Sequence, residues 1–387
     1  MKPIDDIYRD KYDFTILVLQ GGGALGAYQA GVFEGLIEAG FAPNWIAGVS
    51  IGAINAALIA GNAPERRVER LREFWDLVTS GMPEDAPGYS PADPLRQWTN
   101  WLSAAASATL GVPGFYAPRV PPAWLALPGA DEALSFYDTT ALARTLEKLI
   151  EFDRINRGPI RLSLGAVDVE TGNSAYFDSI ETPIRPQHVM ASGALPPAFA
   201  PVEIGGRRYW DGGIVSNSPL WYVLDNAPPM RALIVQVDLF SARGELPRDL
   251  DQVMERRKDI MYSSKTRFNT TRVRELQNLR SALHRLLGKL PADFRDDPDV
   301  KTLERMCHCT HIDILHLINR RAGYSSSSKD YEFSRATMRW RWNAGLEDVR
   351  RSIAHPEWMK RSQLAEGIRV FDLGGGGRDA VLEKEHV

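Results

Sequence analysis

Cysteine is almost missing from this chain: its 387 residues include two, Cys307 and Cys309. Two thiols one residue apart cannot build a disulfide framework, and that scarcity fits a reducing compartment. A membrane-spanning run is not evident either. The apolar stretch from Trp45 to Gly61 is interrupted by Gly, Ser and Asn and is short for a span. It reads instead as a strand followed by a buried helix. The opening residues, Met1-Lys2-Pro3-Ile4-Asp5-Asp6, place acids where a signal peptide needs a basic start and an apolar run. A cytoplasmic protein is expected, with peripheral contact at a membrane surface left open. Charge of one sign is also lacking. A formal net charge of −3 gives no reason to expect nucleic acid. Histidine is sparse, at seven residues, and only His188 falls between residue 50 and Ile234, at the start of a helical stretch. None of the seven stands where a strand-end general base would. The run Cys307-His308-Cys309-Thr310-His311 invites a zinc reading, but it leads into a strand pattern and has no second ligand pair. No metal and no cofactor are expected.

What is present is an ordinary globular composition, 44% hydrophobic and 25% charged, enough for a sizeable core. The length allows two domains of roughly 150 residues each. The stretch that organises the chain is Gly48-Val49-Ser50-Ile51-Gly52, between the apolar Trp45-Ile46-Ala47 and the Ala-rich run Ala53 to Ala60. Strand, serine flanked by glycines, then helix is the layout of a nucleophile elbow. A sharp turn strains the serine backbone and crowds the positions two before and two after it, so glycine stands at Gly48 and Gly52. The helix that follows directs its N-terminal amides toward the serine oxygen.

Upstream, Phe14 to Leu19 is a continuous apolar run, as in a strand buried on both faces of a parallel sheet. It ends in Gln20-Gly21-Gly22-Gly23-Ala24-Leu25-Gly26. That loop fits a dinucleotide fingerprint, but the next strand ends without the acid that would hold a ribose. Two uses stay in view: a tight turn needing small residues, or backbone amides of Gly22 and Gly23 turned toward an oxyanion beside Ser50. Further along, residues 64–78 read as a helix. Residues 97–130 hold Arg119 as their only charge among Trp98, Trp101, Phe115, Tyr116, Trp124 and several prolines. Either an apolar cap over the site or an ordinary buried layer fits them. Thr139 to Ile150 is an amphipathic helix. Arg161 to Val167 and Ser174 to Phe177 are strands joined by a polar turn, which Asp168 is expected to cap. Val202 to Asp211 reads as a hairpin leading into Gly212-Gly213.

Gly21 to Gly26, Gly48 to Gly52, Ala191-Ser192-Gly193-Ala194-Leu195-Pro196 and Asp211-Gly212-Gly213 together resemble the patatin-like phospholipase family, in the family's order, over about residues 14–240. The resemblance implies a three-layer α/β/α fold and an ester hydrolase that works on acyl lipids through a Ser–Asp dyad without histidine. Ser50 would be the nucleophile and Asp211 the base. Gly21, Gly22 and Gly23 would form the oxyanion hole, with Gly26, Gly48, Gly52, Gly212 and Gly213 as supporting positions. Leu25 stands where many members carry Lys or Arg. An acyltransferase using the same site, and a catalytically dead scaffold, are the alternatives.

The expected domains are a lead-in at 1–13, the catalytic region at 14–240 and a mainly helical C-terminal addition at 241–387, as in some bacterial members. Val253 to Leu290 reads as one long basic helix, with ten Lys or Arg against three Asp or Glu from Met254 to Lys289. That helix and residues 97–130 are the candidate membrane contacts. Phe333 to Ile353 reads as a further helix carrying Arg339-Trp340-Arg341-Trp342.

Overall fold

A computed structural model describes residues 12–80, 94–226, 231–263, 279–280, 282–294, 296–306, 311–320, 327–359 and 367–374. The N-terminal half alternates strand and helix: β1 (Phe14–Leu19), α1 (Ala27–Glu38), β2 (Trp45–Val49), α2 (Ile51–Ala60) and α3 (Arg67–Val78). α4 (Pro94–Leu110), β3 (Ala117–Pro118) and β4 (Tyr137–Asp138) then lead to α5 (Thr140–Leu149) and α6 (Phe152–Arg157). β5 (Arg161–Asp168), β6 (Ser174–Asp178), α7 (Pro186–Ser192), β7 (Val202–Ile204) and β8 (Arg207–Asp211) follow. The remainder is α8 (Leu220–Asn226), β9 (Arg231–Asp238), α9 (Leu250–Tyr262), α10 (Pro298–Met306), β10 (His311–Ile318), α11 (Arg335–Ala354), α12 (Pro356–Met359) and β11 (Gly367–Phe371).

One nine-stranded sheet runs β11-β10-β9-β1-β2-β5-β8-β7, with β6 also paired to β5. The six strands from β11 to β5 are parallel. The run Ile16 to Leu19 is buried on both faces, as a continuous apolar strand in a parallel sheet must be. One face packs on α1, α2, α3 and α11; the other carries Leu220 and Val223 of α8 against Ile16, Val18, Trp45 and Ile234. This is the α/β/α layering expected from the sequence. Among the described residues, no helix is long and apolar enough to cross a membrane.

The strand edge of β5 changes partner at the site. Its residues 161–165 pair with β2 and its residues 166–168 pair with β8, while β6 holds the opposite edge. β2 leaves that edge at Val49, opposite Gly165, and β8 joins it with Asp211 opposite Ala166. Serine 50 and aspartate 211, far apart in sequence, are thereby brought to adjacent levels of one edge.

The expected boundary at residue 240 runs through this sheet. The chain beyond it is mainly helical, as expected, yet it also adds β10 and β11 beside β9. α11 lies directly on α1. A Cβ at Gly31 would fall 1.8 Å from the Trp342 carbonyl oxygen, and one at Gly345 would fall 2.1 Å from the Tyr28 carbonyl oxygen. The Arg-Trp run belongs to this contact: Trp342 is buried and donates through Nε1 to Glu34, and Arg341 is buried against backbone carbonyls. Of the expected lead-in, Tyr12 and Asp13 are described, and they tie onto Asp313 of β10 and Arg231 of β9.

The long basic helix expected over 253–290 does not continue through Ser263, which sits at ψ 144. The side-chain amides of Gln20 and Asn217 both donate to the Tyr262 carbonyl, which is thereby held by the catalytic half. Residues 264–278 and 281, with four of the ten basic side chains, lie outside the described residues, as do Cys307, Cys309 and residues 375–387.

The glycine crossing sets two effects against each other. Alanine gains about 1 kcal/mol in helix propensity over glycine, whereas forcing a methyl against backbone typically costs about 1–3 kcal/mol. At 2.1 Å the clash dominates. Gly345→Ala is expected to lower the urea midpoint of the full chain. A midpoint equal to or above that of the parent would contradict the close approach of α1 and α11.

Candidate active site

Ser50 caps the N-terminus of α2 with φ 57 and ψ −127, the only non-glycine residue at positive φ among those described. Such a conformation costs about 1–3 kcal/mol and must be held by its surroundings. Its N–H donates to the Ser192 carbonyl at 3.0 Å and to Ser192 Oγ at 3.1 Å, and Ser192 Oγ donates to the Gly165 carbonyl at 2.6 Å. The flanking glycines are sterically required. A Cβ at Gly48 would lie 2.4 Å from the Gly52 oxygen, and one at Gly52 would lie 2.4 Å from the Leu19 oxygen.

Asp211 ends β8 and shares the cavity lining with Ser50, whose hydroxyl is close enough to pull the Asp211 carboxyl downward. Gly213 N–H donates to Asp211 Oδ1 at 2.7 Å, and the Asp211 N–H donates to the Ala194 carbonyl at 3.0 Å. The end of α7 and the residues just after it thus hold both, Ser50 through Ser192 and Asp211 through Ala194. Gly212 packs where a Cβ would meet the Gly165 oxygen at 2.7 Å. Asp211 is 1% exposed. Burial pushes its carboxyl up to about 6, against the downward pull of the bonds from Ser50 and Gly213.

The glycine loop lies beside this pair. A Cβ on Gly21 would come 2.9 Å from Ser50 Cβ, and one on Gly26 would strike Ile51. The three amides are not equivalent. Gly21 N–H donates to the Asn217 carbonyl at 3.2 Å and is therefore occupied. Among the described residues, none accepts from the amides of Gly22 and Gly23. The usable donor set is smaller than the three amides expected from the sequence. Gly23 needs φ 55, and a Cβ there would fall 2.1 Å from the Asp330 oxygen. Leu25 is buried and takes no part in the cavity lining.

Above Ser50 and Asp211 opens a cavity of about 340 Å³, within the usual range for small-molecule sites of roughly 300–1,000 Å³. Its wall is mainly apolar: Ile51, Ile54, Phe115, Tyr116, Leu195, Phe199, Phe240 and Phe333. Among the described residues, Asp211 and Asp330 are its only charged lining residues, and no Lys, Arg or His lines it. The 97–130 stretch divides between the two roles left open by its composition. Phe115 and Tyr116 are buried in the cavity wall, packed on Phe199 at ring distances of 6.0 and 5.3 Å. Leu110, Val120, Trp124, Leu125 and Leu127 are each more than two-thirds exposed.

Residues set aside as structural behave so. Asp168 Oδ1 accepts from the amides of Glu170 and Thr171, capping its turn. His188 is buried in α7 and accepts from the Arg185 amide, away from the cavity. Among the described residues, no group of three or more His, Cys, Asp or Glu is placed to hold a metal. Several contributors had no sequence signal. Asn217 reads only as a helix start, yet it grips Gly21 through both its backbone and side chain. Tyr262, Asp330, Tyr331 and Phe333 come from the C-terminal addition and still line the cavity.

Comparison with known proteins is in keeping with this arrangement. A family model described as "Patatin-like phospholipase" matches residues 17–224, and one described as "Patatin phospholipase" matches residues 260–365. The crystal structure of VipD from Legionella pneumophila aligns at 16% identity over 86% of this chain and 67% of that one, with a TM-score of 0.34. No curated protein matches the chain.

The raised carboxyl at Asp211 has a thermodynamic sign. The native state holds this proton more tightly than the unfolded chain. The stabilisation is full below the ordinary Asp value of about 3.9 and is lost as pH rises through about 6. An amide avoids that loss. The stability of Asp211→Asn relative to the parent is expected to rise between pH 4 and pH 8 by up to about 3 kcal/mol, at about 1.4 kcal/mol per pKa unit. Denaturant titrations at both pH values measure it, and a difference that does not change with pH would show that the carboxyl is not perturbed.

Proposed function

The chain belongs to the patatin-like phospholipase family, whose members are lipid acyl hydrolases, and on that premise we propose that it cleaves acyl-lipid esters through an acyl-enzyme on Ser50. The observation that carries the proposal is the placement of Ser50 beside a buried Asp211 in the lining of one mainly apolar cavity. Asp211 takes the hydroxyl proton as Ser50 Oγ attacks the ester carbonyl carbon. A carboxyl tuned to about 6 is mostly ionised at neutral pH yet a better base than an ordinary Asp. The tetrahedral oxyanion is received by the amides of Gly22 and Gly23, a kind of interaction whose loss typically costs about 3–4 kcal/mol. Collapse expels the alcohol, which takes the proton from Asp211. Water then gives a proton to Asp211 and attacks the acyl-enzyme, releasing the carboxylic acid and restoring Ser50.

A largely apolar, aromatic cavity suits an acyl chain, and among the described residues it gives an anionic head group no cationic partner. Support for contact with a lipid surface comes from the exposed apolar side chains between Leu110 and Leu127. Ala108, at the end of the same helix, is exposed and lines the cavity. Burying one such side chain in an apolar phase is worth about 1.5–3 kcal/mol. In this reading the rim enters the membrane interface and the substrate chain moves into the cavity without crossing bulk water.

Two measurements test these readings. Ser50→Ala and Asp211→Asn are expected to lose ester hydrolysis while keeping the parent's circular dichroism, and Ser50→Ala to lose fluorophosphonate labelling. Hydrolysis at the parent rate in either folded variant would refute the dyad. Product analysis with added glycerol or lysolipid separates hydrolysis from acyl transfer. For the rim, Trp124→Ser with Leu127→Ser is expected to cut hydrolysis of vesicle-borne lipid several-fold and to leave a short soluble ester unaffected. Equal losses on both substrates would remove the case for the rim as a docking surface.

A further inference from the structure

Building on the hydrolase reading, we infer that the C-terminal segment Ser327–Phe333, cross-linked by Arg341, is the element that aims the oxyanion amides, with Arg341 as its positioning residue. The glycine loop is gripped on both flanks by the C-terminal addition. On one side Gln20 Nε2 donates to the Tyr262 carbonyl at 2.9 Å. On the other, Ala24 N–H donates to the Asp330 carbonyl at 2.8 Å. The amides of Gly22 and Gly23 lie between these anchors, and Gly23 has its positive φ directly against the Asp330 oxygen.

Arg341 joins the two pieces. Its Nη1 donates to the Ala24 carbonyl at 3.0 Å and to the Glu332 carbonyl at 3.2 Å, and its Nη2 donates to the Lys329 carbonyl at 2.8 Å. It is 5% exposed, and all three acceptors are backbone carbonyls. A planar fork can satisfy several fixed carbonyls at once; a lysine ammonium cannot reproduce that geometry. Three ion pairs fasten the segment from its outer side. Lys258 Nζ donates to Asp330 Oδ1 and to the Ser327 carbonyl at 2.7 Å each, and Lys329 Nζ pairs with Glu255 and Asp259 of α9. The same segment sends Tyr331 and Phe333 into the cavity wall. The loop that would hold the negative charge is thus built from the first strand's end and aligned by residues more than three hundred positions later.

A purely structural role for Arg341 would lower stability without altering the turnover of molecules that are folded. A positioning role weakens binding of the transition state specifically. The test uses the full chain as Arg341→Met, Arg341→Lys and Lys258→Met. It reads kcat per fluorophosphonate-reactive site and KM on a short-chain ester, and Ki for a trifluoromethyl ketone of equal acyl length. Arg341→Met is expected to lose about 10²-fold in kcat, the scale for one oxyanion donor, with KM within about twofold. Its Ki should rise by the same factor as kcat/KM falls. Arg341→Lys should recover only part of the loss, and Lys258→Met should show a smaller loss with the same parallel rise in Ki. Parental kcat per reactive site in folded Arg341→Met, or a lowered kcat with unchanged Ki, overturns the inference. Should Arg341→Met not fold, parental kcat and Ki in Lys258→Met overturn it equally. Parent chain that neither labels nor hydrolyses the ester refutes the hydrolase reading itself, a result distinct from these.

Discussion

One edge of one strand cannot bond two neighbours at the same level, and the site exists because β5 divides its edge between them. β2 holds that edge up to Val49 and then turns away at Ser50; β8 takes it over at Asp211. The turn at Ser50 is sharp because the edge must be vacated within a residue, which demands a positive φ at a serine and glycines at Gly48 and Gly52. Gly165, opposite Val49, has no side chain to obstruct the exchange: a Cβ there would come within 2.9 Å of Val49. Ser50 and Asp211 are close because backbone hydrogen bonds place them, so the pair stands on the sheet rather than on loops.

Burial then supplies the chemistry. Asp211 is enclosed, and desolvation lifts its carboxyl toward neutrality while the bonds from Ser50 and Gly213 keep it from rising further. His188 packs on Phe177 and is not among the residues that line the cavity. Among the described residues the same enclosure is mainly apolar, with Ser50, Asp211, Asn217 and Asp330 among its polar lining, which suits a long apolar group with one polar centre.

The chain beyond residue 240 is part of this enclosure. It extends the sheet by two strands, presses α11 onto α1 through paired glycines, and closes the cavity with Tyr262, Tyr331 and Phe333. Arg341 and Trp342, a basic–aromatic run on paper, are interior residues that bind backbone carbonyls and Glu34. The charges of α9 are similarly engaged, Lys258 with Asp330 and Glu255 with Lys329. Composition alone cannot separate such inward charge from a solvated or lipid-facing stripe, because both have the same periodicity.

Much of the α/β layering was legible in the chain itself, from β1 as a continuous apolar run to the β7–β8 hairpin, because burial on two faces and tight turns constrain residue type locally. The serine elbow was legible for the same reason: only glycine tolerates the crowding on either side of it. The single helix read over 253–290 failed at Ser263, where side chains from Gln20 and Asn217 take hold of the Tyr262 carbonyl. No local pattern signals a partner so distant in sequence. The loss of Gly21 N–H to Asn217, the clamp of Asp330 on Gly23 and the fork of Arg341 are of the same kind. Residue types along the chain settle which segments turn, which are buried and where a strained serine can stand. Tertiary structure alone decided which amides remain free and how far a carboxyl is desolvated, because those depend on atoms that meet only after the whole sheet has closed.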